Sequence, residues 1–140
     1  MKYLFILSLL IASLPVTAQS KDENQVRKLL DEQTKAWNRG DVESFMKGYW
    51  KSDSLMFIGK NGVTYGWNNT LNNYKKNYPD TAAMGNLTFT IITMKQLSFQ
   101  YFHVVGKWYL KRSIGNAGGS FTLLFKKIKN QWVIIADHSS

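Results

Sequence analysis

From residue 22 to 39 the apolar positions keep a helical period. Val26, Leu29, Leu30 and Trp37 share a stripe with Gln33, and charged residues occupy the other face. Gly40 stops that helix, and Asp41 is placed to cap the next. Val42, Phe45, Met46, Tyr49 and Trp50 continue at helical spacing, which predicts a second helix over 41–51, turned sharply against the first. Residues 55–59 read as a strand, Asn61-Gly62 as a tight turn and 63–65 as its partner. Trp67, Leu71, Tyr74 and Tyr78 mark a third helix over 67–78, which Pro79 ends.

Beyond residue 85 the period changes to two. Leu87, Phe89 and Ile91 alternate with Thr88, Thr90 and Ile92; Val104, Trp108 and Leu110 share one face of the next strand, with Gly106 between them. Phe121, Leu123 and Phe125 alternate in a third strand, and residues 132–138 form the last. Short links between long strands predict an antiparallel meander. Gly106 fits a bend or bulge that helps the sheet curl. The predicted class is α+β: a curved antiparallel sheet, a cone or half-barrel, with three N-terminal helices on its concave face. Helices cover a curled sheet incompletely, so a pocket is expected between them.

The first residues have a different character. Lys2 precedes an apolar run over 3–14, and Val16-Thr17-Ala18 supplies the small residues of a cleavage site. This is the layout of a secretory signal over 1–18, with one domain over 19–140. The run is shorter than the roughly 20 residues of a membrane span. Export to the periplasm or the medium is expected, with no stable membrane insertion after cleavage.

The chain has 140 residues, no cysteine, two histidines (His103 and His138) and a net charge of +9. Without cysteine there is no disulfide and no thiol nucleophile, and two histidines leave no multi-histidine metal site. No metal or cofactor is expected. Residues 44–140 carry twelve bases against three acids, Asp53, Asp80 and Asp137. The bases are scattered, strand alternation sends neighbours to opposite faces, and no nucleic-acid motif is present. A solvated surface is therefore expected, not a nucleic-acid interface.

Several strings together resemble a known family. They are Ala36-Trp37-Asn38-Arg39-Gly40-Asp41, Gly48-Tyr49-Trp50, Phe57-Ile58-Gly59, Tyr65-Gly66-Trp67, Tyr74-Lys75-Lys76, Met84-Gly85-Asn86-Leu87, Val104-Val105-Gly106-Lys107-Trp108 and Phe121-Thr122-Leu123-Leu124. Trp132-Val133-Ile134 and the ending Asp137-His138-Ser139-Ser140 complete the set. With the order of elements, they are similar to the nuclear transport factor 2-like superfamily, in particular its SnoaL-like and ketosteroid-isomerase-like bacterial members. The resemblance implies the cone-shaped fold and a pocket. It does not imply one activity, because the superfamily holds isomerases, cyclases, dehydratases, association domains and binders. Residues 55–65 and 86–129 contain no acid, so the acidic pair of an isomerase site is absent.

The candidate chemistry is aromatic and acidic. Trp37, Tyr49, Trp50, Phe57, Trp67, Tyr74, Tyr78 and Trp108 are expected to line the pocket and to suit a small apolar or aromatic ligand. Asp137 and His138 are the candidate catalytic residues. As neighbours on a strand they point to opposite faces and form no dyad with each other. Pairing of His103 with Asp137 depends on register. Asp137, expected among Val133, Ile135 and Trp108, has two readings: a general base with a raised pKa, or a hydrogen-bond acceptor that holds a helix to the sheet. Three functions remain open: a small-molecule binder, an acid–base enzyme using Asp137, and a dimerisation module. Val105 and Tyr109, Thr122 and Leu124, and Val133 and Ile135 give the strands a second apolar face, which predicts a homodimer through the sheet.

Overall fold

The computed structural model describes residues 20–140. The expected signal over 1–18 lies outside the described residues. Helix α1 runs Lys21–Asn38, and α2 (Val42–Phe45) passes directly into a 3₁₀ turn, Met46–Gly48. Strands β1 (Met56–Gly59) and β2 (Gly62–Tyr65) form a hairpin, followed by α3 (Trp67–Asn77) and the one-turn α4 (Thr81–Met84). Four long strands complete the chain: β3 (Asn86–Ser98), β4 (Tyr101–Lys111), β5 (Ala117–Ile128) and β6 (Gln131–Ser139).

The six strands form one open sheet in the order β2-β1-β6-β5-β4-β3. From β3 to β6 it is the expected meander. The pure antiparallel expectation fails at one seam, where β1 pairs with β6 in parallel, Phe57 beside Asp137. Hairpin logic fixes direction only for strands joined by a short turn. β1 reaches β6 from far away in sequence, and its direction is already set where Tyr49 forms a parallel bridge with Ile134.

That bridge also corrects the second helix. It ends at Gly48, not at residue 51, because Tyr49 is extended and the Trp50 N–H donates to the Ile134 carbonyl at 2.9 Å. Asp41 caps α2 as expected, its carboxylate accepting from the Ser44 N–H at 2.9 Å. The turn α4 was not expected. Asp80 caps it, accepting from the Ala83 N–H at 2.8 Å.

Helix α1 is fastened at both ends. At its start, Asp22 accepts from Lys127 Nζ at 2.7 Å and from the Trp132 indole N–H at 3.1 Å. At its end, the Asn38 side-chain oxygen accepts from the Leu87 N–H at 2.6 Å, and its amide donates to the Leu87 carbonyl at 3.1 Å. Asn38 thus serves as a one-residue partner for the start of β3. Between these ends Val26, Leu30, Ala36 and Trp37 pack into one core with Phe102, Val104, Phe125 and Ile134 of the sheet.

Two bulges reset the alternation near the site. In β3 the register shifts between Ile91 and Thr93, opposite Gly106. In β6 Ala136 faces Leu124 and Ile134 faces Phe125, so Ile135 is the extra residue. Gly106 itself is needed for close approach: a Cβ there would stand 2.5 Å from the Phe121 ring and 2.8 Å from the Thr90 carbonyl.

Candidate functional site

The bulge at Ile135 decides what surrounds Asp137. Strict alternation would place it with Val133 and Ile135. The extra residue shifts the phase, so Asp137 shares its face with Trp132 and Ile134, all three buried. Val133 and Ile135 are only half-buried. Asp137 itself is 4% exposed and forms part of the wall of a partly open cavity of about 100 Å³.

Among the described residues, two hydroxyl groups bond the carboxylate. Oδ2 accepts from the Tyr49 phenol at 2.7 Å, and Oδ1 accepts from the Ser139 hydroxyl at 2.7 Å. Among the described residues it makes no ion pair. Burial disfavours its charge and raises its pKa to about 6, although the two hydroxyl donors pull it down. Since Tyr49 donates to Asp137, the Tyr74 phenol, 3.4 Å away, is left to donate weakly to Tyr49. Burial and the nearby carboxylate hold both phenols well above their ordinary pKa, so they remain protonated donors.

Six of the eight expected pocket residues line this cavity: Trp37, Tyr49, Phe57, Tyr74, Tyr78 and Trp108. The rings interlock edge to face, with Trp37 4.9 Å from Tyr78 and 5.8 Å from Tyr74, and Phe57 5.7 Å from Tyr74. The Trp37 indole N–H donates to the Met84 carbonyl at 3.0 Å, which fixes the ring at the wall.

Trp50 and Trp67 do not line the cavity. The helix that would have put Trp50 on the stripe of Tyr49 ends first, and consecutive extended residues face opposite ways. Trp67, at the start of α3, donates its indole N–H to the Met46 carbonyl at 2.9 Å, while Lys51 Nζ lies 5.2 Å from its ring centre. It ties α3 to the 3₁₀ turn. In exchange, Phe45, Phe89, Phe121 and Ser139 join the lining. The period-two pattern already marked the inward side of Phe89 and Phe121. For Ser139 the only signal was its place two residues after Asp137 on a strand.

The histidines stay apart from Asp137. His138 is exposed, on the opposite face as expected. Register pairs His103 with Leu124 and Lys95, whereas Asp137 pairs with Leu123, so His103 and Asp137 lie on opposite faces of the sheet. Arg39 pairs with Asp41 at 3.3 Å on the surface, away from the cavity lining. A wider groove between α1 and the β5–β6 turn is an open cleft. Lys28, Glu32, Lys35 and Lys47 line it, and it offers no carboxylate buried like Asp137.

The arrangement can do two things chemically. The rings can enclose a small organic group, and the carboxylate can bind a positive or hydrogen-bonding atom or exchange a proton near neutral pH.

Comparison with known proteins adds a fold and a relative. The chain is 47% identical to an NTF2-like protein of unknown function from Shewanella oneidensis MR-1, over 85% of this chain and 98% of that one, with a TM-score of 0.82. A ketosteroid isomerase-like protein from Erwinia carotovora atroseptica SCRI1043 is similar in fold alone. It is 14% identical over 86% of this chain and 95% of that one, with a TM-score of 0.66. An NTF2-like protein of unknown function from Pseudomonas putida KT2440 is 13% identical over 88% and 89%, with a TM-score of 0.68. No family model matches the chain, and no curated protein matches it.

Proposed function

Since the chain belongs to the NTF2-like family, we propose that its cavity is the binding site of a small organic ligand, anchored through Asp137. The fold is shared by too many activities to choose among them, so the weight rests on the site. One observation carries the reading: a buried carboxylate with no ionic partner among the described residues forms part of an otherwise largely aromatic cavity wall. A carboxylate is expensive to bury and is normally paired. A core that only needed filling would be served by leucine.

A second reading has its own support. The raised pKa of Asp137 puts its proton exchange near neutrality, as general acid–base chemistry requires. In that reading Asp137 takes or gives the proton, while the Tyr49 phenol orients the carboxyl by its hydrogen bond and Tyr74 supports Tyr49. Among the described residues no second acid lines the cavity, so the reaction would proceed with one carboxylate.

Export, as the signal over 1–18 suggests, places the ligand outside the cytoplasm. Native mass spectrometry of the protein purified from its own cells tests these statements together. The expected spectrum shows a chain starting at Gln19 and carrying a small-molecule adduct that Asp137→Asn loses. A wild-type spectrum free of adduct, with no ligand captured from a cell extract, counts against the binding reading. A substrate turned over by the wild type and bound unchanged by Asp137→Asn selects the enzyme.

A further inference from the structure

We infer that the cavity selects a small organic cation, a protonated or quaternary amine, with its charged head against Asp137 and its alkyl groups against the surrounding rings. This inference rests on the reading of the cavity as a binding site, and it names the class of ligand.

The charge arrangement points that way. The protein carries 18 lysines and arginines and a net charge of +9. Among the described residues, none that lines the cavity is a lysine, an arginine or a histidine. Asp137 therefore supplies the lining's one formal charge, and the basic surface does not neutralise it by contact. Its two hydrogen bonds, from Tyr49 and Ser139, use two of the roughly four acceptor positions of a carboxylate.

The walls complete the argument. Trp37 and Tyr74 from the helices, Tyr78 just past the end of α3, and Phe57, Phe89 and Trp108 from the strands surround the space. Aromatic faces carry negative potential, and several around one cation form the known cage for alkylated ammonium groups. The alternatives fit less well. An anion would meet Asp137 as a like charge. A neutral apolar group would use the rings and leave the carboxylate without an ionic partner. At about 100 Å³ the pocket has the scale of a compact head group.

The test compares a cation with its neutral carbon isostere. Isothermal calorimetry at pH 7.5 on the chain from Gln19, which contains the whole described core, would use choline and 3,3-dimethyl-1-butanol. They have nearly the same shape and differ in charge. Choline is expected to bind at least tenfold more tightly. In Asp137→Asn, with folding checked by circular dichroism, that preference should fall to near unity while the alcohol is unaffected. Equal binding of the two, or tighter binding of the alcohol, overturns the cation and leaves the cavity as a site for apolar ligands. Binding of neither overturns the cation, and the binding reading then stands or falls on the adduct in the native spectrum. Tighter binding of choline that persists in Asp137→Asn removes Asp137 from the site of recognition.

Discussion

Asp137 carries a stability cost that depends on pH. Its carboxyl moves from an ordinary 3.8 when unfolded to about 6 when folded. Between those values the native state holds a proton that the unfolded chain releases, so stability falls as pH rises. The full shift corresponds to about 3 kcal/mol, present as added stability below pH 3.8 and lost by about pH 7. Urea melts of the wild type and Asp137→Asn at pH 4 and pH 7.5 measure this. The wild type is expected to lose about 2 kcal/mol relative to the variant over that interval, because at pH 4 part of the full shift is already spent. A constant difference would mean that water or a cation reaches the carboxylate. Whether the Asn variant is weaker at a given pH is a separate matter, since its amide accepts from only one of the two hydroxyls without rearrangement. The sequence marks Asp137 as the one acid of the last strand. It does not show that Tyr49 and Ser139 are its partners, because those contacts depend on where the helix before Tyr49 stops.

Elements were legible where a period persisted and illegible where it broke. Helix α1, helix α3 and three of the four long strands follow their patterns to within a residue or so, whereas β5 starts at Ala117, inside the glycine-rich stretch over 114–120 that reads as a connection. The 41–51 stripe looked helical because its first part is helical: a turn of α-helix and a 3₁₀ turn carry Val42, Phe45 and Met46 before the chain extends at Tyr49. The bridge to Ile134 is a tertiary contact that no local spacing encodes. Bulges were equally hidden. Gly106 signalled an irregularity, but the bulge itself sits in the neighbouring strand, at Ile92. Gly106→Ala tests the reading of Gly106 as a contact position. Its methyl would press on the Phe121 ring and on a backbone carbonyl that has little room to yield. Overpacking of this kind costs about 1–3 kcal/mol. A lowered urea midpoint with unchanged slope is the expected result. A neutral outcome would show that β3 can move away.

At the scale of the molecule the sheet has a second face. Val105, Leu124, Val133 and Ile135 are half-buried, and Tyr109 is 46% exposed. We propose that a second copy of the chain covers this face, sheet against sheet, as the apolar residues on both sides of the strands suggest. Sedimentation equilibrium at micromolar concentration is expected to give twice the chain mass, and Val105→Lys with Leu124→Lys to give the single mass. A wild-type monomer under those conditions removes the dimer. Both substitutions lie on the face away from the cavity, so the binding of a small ligand can be compared in the two states.

By itself the sequence determined the class of fold, most element boundaries, the inward residues of the long strands, and the family that its strings resemble. All of these follow from period and local chemistry, which act over a few residues. The tertiary structure alone decided the parallel seam between β1 and β6, the end of α2, the exclusion of Trp50 and Trp67 from the cavity, and the neighbours of Asp137. Each depends on one long-range contact, whether the bridge from Tyr49 to Ile134 or the register of β6 against β5. A single-residue shift in such a contact turns a side chain from one face of the sheet to the other. Composition could name the aromatic and acidic groups of the site. Only register could bring them around the same hundred cubic ångströms.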